Sequence, residues 1–202
     1  MPVPVKPSDF LTLLVSPTRF TIERFRKKPI RLWNWIFRAI LALWLVVLWF
    51  SRTGGVIRQL PHHLGYFALW LFPFSRVNEL AIGFYKDAKQ RFTGPPSRTK
   101  TAPIERLVLL VAAYFEVAAQ FGILYFCALP SGYFNSDFRS IIEAVYFSVV
   151  TITTVGYGDI HPQNPWAQVA CMYELAVGFI VITFAFGSYL ATSQMPDQER
   201  RP

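Results

Sequence analysis

Two apolar runs, IERLVLLVAAYFEVAAQFGILYFCAL (Ile104 to Leu129) and WAQVACMYELAVGFIVITFAFGSYL (Trp166 to Leu190), bracket a stretch that suits no helix. That stretch is TITTVGYGDI, Thr151 to Ile160, in which β-branched residues lead into two glycines around a tyrosine. Each run is long enough, as a helix, to cross about 30 Å of hydrocarbon. Glycine costs roughly 1 kcal/mol in a helix interior, and β-branched side chains are stiff there. In hydrocarbon every backbone N–H and C=O needs a partner, so irregular backbone survives only inside protein or beside a water-filled path. The segment DFRSIIEAVYFSVVTIT, from Asp137, is too short and too polar at its start to cross alone, with cap candidates Asn135, Ser136 and Asp137. A re-entrant loop satisfies these constraints: a short helix dips in, and an extended Thr154–Gly158 returns. Gly156 and Gly158 supply positive φ, and alternation with ordinary residues turns successive carbonyls to one side. Oxygens so arranged can replace an ion's water shell if other strands close the ring.

Composition agrees with a membrane protein. Of 202 residues, 53% are hydrophobic and only 16% are charged, which is too apolar for an ordinary soluble domain. The formal charge of +8 does not point to nucleic acid, because the basic residues cluster beside the apolar runs. Lys6, Arg19, Arg24, Arg26, Lys27 and Lys28 precede the first run and Arg31 opens it, and Lys86, Lys89, Arg91, Arg98 and Lys100 precede the third, with Arg106 at its start. Such clusters mark cytoplasmic flanks facing anionic lipid. Cys127 and Cys171 have no metal-ligand spacing and read as buried free thiols. His62 and His63 are adjacent and would diverge on a helix, and His161 reads as an exposed loop histidine. No Ser-His-Asp set, paired carboxylate or phosphate-cradling loop stands out, so no enzyme is expected and no cofactor is implied.

The chain divides into five parts. Residues 1–30 form a basic, proline-punctuated segment; 31–85 hold two hydrophobic, tryptophan-rich segments; 86–102 read as a basic linker; 103–192 are the pore-like module; 193–202 are a short polar tail. RLWNWIFRAILALWLVVLWF, Arg31 to Phe50, has the length of a span, with Arg38 placed to snorkel. GYFALWLFPFSRVNELAIGF, Gly65 to Phe84, is interrupted by Pro73, Arg76, Asn78 and Glu79. Two crossings are favoured for this pair over an interfacial arrangement. In the third run Glu116 and Gln120 share a face, which should pack on a neighbouring helix. Glu116 and Glu174 are candidates for an interhelical pairing.

Thr154-Val155-Gly156-Tyr157-Gly158 between two spans resembles the filter signature of potassium channels, itself a standard example of carbonyl-based selectivity. The resemblance covers Pro103 to about Thr192: outer helix, pore helix, filter and inner helix. It implies that the carbonyls of Thr154, Val155, Gly156 and Tyr157, with the Thr154 hydroxyl, form successive K+ sites completed by Gly158. Tyr157 would brace the filter against pore-helix aromatics, and Asp159 would sit at the outer mouth. On the inner helix Gly178 falls at the family's hinge position, Phe179 and Ile182 would approach the cavity, and Phe186 and Leu190 would form the cytoplasmic constriction. Tyr146 and Phe147 stand where many relatives have a tryptophan pair, and Val150 where some have a glutamate, so inactivation behaviour does not transfer.

The expectation is therefore an all-α integral membrane protein: a potassium-selective channel subunit of the cell membrane, forming a homotetramer and conducting K+ passively. Membrane lipids, including anionic ones, are the other expected partners. Both termini are expected in the cytoplasm. A less selective cation channel and a non-conducting regulatory subunit are the alternatives. No segment carries arginine at every third position, so a usual voltage sensor is not expected, and regulation is assigned to residues 1–102, lipid or the pore itself.

Overall fold

In a computed structural model of the chain, residues 30–50, 70–93 and 103–193 are described. Most of the segment 1–30, the His62-His63 pair, the second half of the expected linker and the tail from residue 194 lie outside the described residues. The regular structure is helical: α1 (Ile30–Phe50), a π-helical turn (Trp70–Phe74), α2 (Ser75–Thr93), α3 (Pro103–Ala128), α4 (Ile141–Ile152) and α5 (Pro165–Ser193). Leu107–Ala128 of α3 and Pro165–Thr183 of α5 are long and apolar enough to span a membrane.

The helix starts follow local chemistry. α3 and α5 begin at prolines, whose missing N–H is unneeded in a first turn. Asn164 caps α5, its Oδ1 accepting from Trp166 N at 2.9 Å and its carbonyl from Gln168 N at 3.0 Å. For α4 the expected caps at Asn135–Asp137 are corrected to Ser140, whose Oγ accepts from Glu143 N at 3.3 Å. Glu143 reaches back to accept from Arg139 N at 2.7 Å. This is the S-x-x-E reciprocity of a capping box, displaced by one residue on its return arm.

The second hydrophobic segment is neither one straight helix nor followed directly by linker. Pro73 cannot donate to a preceding turn, and the backbone absorbs the break in the π-helical turn before α2. α2 then runs through Lys86 to Thr93, eight residues into the expected linker, because no glycine or proline intervenes before Gly94-Pro95-Pro96. Taken alone, α2 is not apolar enough to qualify as a span.

α3 packs on α4 and α5, α2 lies along α5, and α1 touches α3 and α4. Two glycines allow the closest approaches. A Cβ on Gly122 would fall 2.6 Å from Val145 Cγ2 and 2.9 Å from its Cα, so α3 and α4 meet nearly backbone to backbone. A Cβ on Gly178 would fall 2.5 Å from Ile152 Cγ1, at the foot of α4. Around the upper part of α4, Tyr125, Phe134 and Phe147 stack edge to face with centroids 5.1–5.7 Å apart.

The buried polar groups correct two expectations. Arg38 does not snorkel away; its Nε donates to Glu116 Oε2 at 3.1 Å. Glu116 does not pair with Glu174, because its other oxygen accepts from Arg76 Nε at 2.7 Å. Arg76 is 1% exposed. It also contacts Glu79 Oε1 at 2.9 Å, donates to Asn34 Oδ1 at 3.1 Å and lies over the Phe37 ring at 4.9 Å. Two cations thus face two carboxylates, which is what makes charge tolerable at this depth. The face bearing Glu116 and Gln120 is buried as expected, though the Gln120 amide finds no hydrogen-bond partner among the described residues. Both cysteines are free thiols, with Cys171 buried.

Candidate functional site

The site begins where α4 stops. A helix leaves its last four carbonyls without intrahelical donors, and here each finds one. Val149 O accepts from Thr153 N at 3.1 Å and Thr153 Oγ1 at 2.5 Å. Val150 O accepts from Val155 N at 3.1 Å and Gly156 N at 3.3 Å, and Thr151 O from Thr154 N at 2.9 Å. Ile152 O accepts from Tyr114 Oη of α3 at 2.6 Å. The end of the short helix is therefore closed, and the first filter-like amides are spent in closing it.

Beyond it the backbone alternates. Thr154, Gly156 and Gly158 have φ of 59°, 57° and 80°. The two glycines match the sequence expectation; the threonine does not, since a β-branched residue in the left-handed region is strained. The local chain over-determines that strain, because Thr154 N and the two amides that follow it are all tied to α4 carbonyls. The carbonyl oxygens of Thr154, Val155, Gly156 and Tyr157, by contrast, accept no hydrogen bond from the described residues. Within one chain Val155 and Tyr157 are uncovered, Tyr157 being 71% exposed.

Asp159 is held from two sides. Tyr146 Oη donates to its Oδ2 at 3.0 Å, and Asn135 Nδ2 donates to its carbonyl at 2.8 Å. The hydrogen bond to Asp159 raises the pKa of the Tyr146 phenol. Asn135 also accepts from His161 N at 2.8 Å and donates its own N–H to His161 O at 3.1 Å. Its role as the clamp between the two loops was missed in the sequence, where it read only as a cap. The exposed His161 ring sets Nδ1 3.2 Å from Gly158 O.

α5 has two stripes. Ala167, Cys171, Glu174, Val177, Gly178 and Val181 are buried against the rest of the chain. Met172, Phe179, Ile182 and Phe186 are exposed, Phe179 by 72%. The expected cavity and gate residues thus share the uncovered side; Leu190 belongs to α5, and its side chain lies outside the described set. Gly178 is buried where Ile152 crosses, a packing reason for glycine independent of any hinge.

Two helices long and apolar enough to span a membrane, a short capped helix between them and four carbonyls without donors among the described residues fit one class of protein, a membrane ion channel. Residues 110–192 match the family model described as "Ion channel". The chain is 28% identical over 95 residues to "Two-pore potassium channel 5" of Arabidopsis thaliana, covering 46% of this chain and 22% of that one. It is 35% identical over 98 residues to "Two pore potassium channel a" of Oryza sativa subsp. japonica, covering 48% and 27%. It is 37% identical over 54 residues to "Voltage-gated potassium channel" of Aeropyrum pernix, covering 27% and 18%. No solved structure matches at a significant level. Through this module the chain is similar to potassium channels. It spans only about a quarter or less of the length of these relatives.

Proposed function

We propose that the chain is a subunit of a homotetrameric, potassium-selective channel of the cell membrane that conducts K+ passively, with no cofactor and with both termini cytoplasmic. The observation that carries this reading is the contrast at Ile152: the α4 carbonyls from Val149 to Ile152 are all satisfied, and those of Thr154 to Tyr157 accept from none of the described residues. Free carbonyls at membrane depth need a partner, and a dehydrated cation supplies one. One chain offers a single strand of oxygens, so four must converge to surround the ion. The exposed stripe of Phe179, Ile182 and Phe186 fits the same geometry, since it would face the other chains and the cavity. Asp159, held by Tyr146 and Asn135, would lie at the outer mouth, and Gly158 would complete the outermost site. Gly178 would be the hinge, and Ile182, Phe186 and Leu190 the inner gate. Anionic lipid would meet the basic residues ahead of the spans.

The test is reconstitution of the purified protein alone in liposomes, with reversal potentials measured under a potassium/sodium gradient. Strong exclusion of sodium is expected. Comparable sodium permeability would support a less selective cation channel, and absence of flux under any opening condition would support a non-conducting regulatory subunit. Native mass spectrometry in mild detergent should give tetramers; monomers and dimers alone would exclude the assembly.

A further inference from the structure

Glu174 is 0% exposed and, unlike Glu116, meets no cation among the described residues. It lies where three helices converge, between Tyr125 of α3 and Ser148 of α4. Tyr125 Oη donates to Glu174 Oε2 at 2.6 Å and lies 3.7 Å from Cys171 Sγ. Ser148 Oγ touches Glu174 Oε1 and also sits 2.7 Å from the main-chain oxygen of Ala118. Ser148 is itself fully buried.

Counting protons decides the arrangement. A serine hydroxyl has one proton, and the Ala118 carbonyl can only accept. Were Glu174 ionised, Ser148 would face two acceptors with one proton, and one contact would set lone pair against lone pair. With a proton on Oε1 every contact closes: Glu174 donates to Ser148, Ser148 donates to Ala118, and Tyr125 donates to the other carboxyl oxygen. Burial without a cation favours the same state. Among the described residues the groups around Glu174 are Tyr114 and Tyr125 of α3, Ser148 of α4 and, on its own helix, Cys171, none of them cationic.

We propose that Glu174 is held as a neutral carboxylic acid and is a positioning residue for the filter, donating to Ser148 and so tying the inner helix to the re-entrant helix. Ser148 precedes by two residues Val150, whose carbonyl holds the Val155 and Gly156 amides. A shift of α4 at Ser148 is therefore passed to the filter backbone. This role rests on the channel reading above; the protonation state does not.

The experiment has two arms on the full chain. Infrared difference spectra of wild type against Glu174→Gln should show loss of a protonated-carboxyl C=O band; loss of carboxylate bands instead would overturn the proposal, whether or not the protein conducts. In liposome flux, Glu174→Gln, which can still donate to Ser148 and accept from Tyr125, should stay within about twofold of wild type, while Glu174→Ala falls by about tenfold or loses selectivity. Equal loss in both variants, with wild type conducting, would overturn it. If Glu174→Ala fails to assemble, Ser148→Ala takes its place, with the same reduced flux expected and wild-type flux counting against the proposal. A wild type that does not conduct would fail the channel reading and leave the infrared arm to decide protonation.

Discussion

The filter-like strand and the N-terminal helix pair both carry strongly polar groups into an apolar setting, and they treat them in opposite ways. Around α1 and α2, Arg38 and Arg76 meet Glu116, Glu79 and Asn34 within 2.7–3.1 Å, so charge closes on charge, with Arg76 Nη1 held by Glu79 as an ion pair and not a hydrogen bond. At Thr154–Tyr157 four successive carbonyls have no donor among the described residues. The difference teaches where to look for transport: a charge-balanced cluster holds helices together, and an open row of oxygens needs a ligand from outside.

The sharpest way to break this comparison is to remove the backbone freedom that keeps the row open. Gly156→Ala places a Cβ at φ 57° in otherwise open space, so the obstacle is conformational and not a clash. The left-handed conformation costs an alanine about 1–2 kcal/mol per chain, repeated in every strand of the proposed tetramer. Potassium-selective flux should be abolished while oligomer size in detergent is kept. Wild-type selectivity in this variant would mean that the observed alternation is not the conducting one.

The closed cluster should break differently. Glu116→Gln leaves Arg76 buried with its main carboxylate gone, and removal of one partner from a buried pair typically costs about 3–5 kcal/mol. A large loss of thermal stability in detergent is expected. Arg38→Gln should cost much less, about 1 kcal/mol or under, because the Arg38 side chain is partly exposed and Glu116 keeps Arg76. Equal losses from the two variants would show that the cluster does not centre on Glu116.

The two regions also differed in how much of them the sequence could reveal. The filter is a local motif, and its positive φ at Gly156 and Gly158, its short helix and its flanking apolar runs are written in adjacent residues. Thr154 at φ 59° was not legible, because that strain is imposed by amides held from Val150 and Thr151. The Arg76–Glu116 contact joins residues 40 apart, and Arg38–Glu116 residues 78 apart. Hydropathy marks such residues as interruptions without saying which one meets which. Ser140 was passed over because three equally good cap residues cluster just ahead of it, although the Glu143 three residues on was the available signal.

Gly178 gives a smaller effect, in which packing and hinge readings separate. A Cβ there meets Ile152 Cγ1 at 2.5 Å, and Ile152 Cδ1 at 3.0 Å, both side-chain atoms. Gly178→Ala should therefore destabilise by about 1–3 kcal/mol through overpacking. Ile152→Val does not remove Cγ1, so it should restore little, whereas Ile152→Ala should restore most of the loss. If Gly178→Ala leaves stability unchanged yet alters opening, the hinge reading gains and the packing reading fails.

The smallest expected effect tests whether the two regions are joined at all. Tyr173 of α5 donates its hydroxyl to Asn78 Oδ1 of α2 at 2.7 Å, and Asn78 Nδ2 donates in turn to Phe74 O at 3.1 Å beside the π-helical turn. The Tyr173 ring also packs on Phe74 and Phe121, with centroids 5.9 and 5.6 Å away. Tyr173→Phe keeps those ring contacts and removes only the hydroxyl, so it should cost about 1 kcal/mol. Asn78→Ala should cost somewhat more, since it also frees the Phe74 carbonyl. In a double-mutant cycle the two losses should add to less than their sum, with a coupling of about 0.5–1 kcal/mol. Strict additivity would mean that α2 lies along the inner helix without a polar grip on it, and the polar link between the closed cluster and the rest of the chain would then run through Glu116.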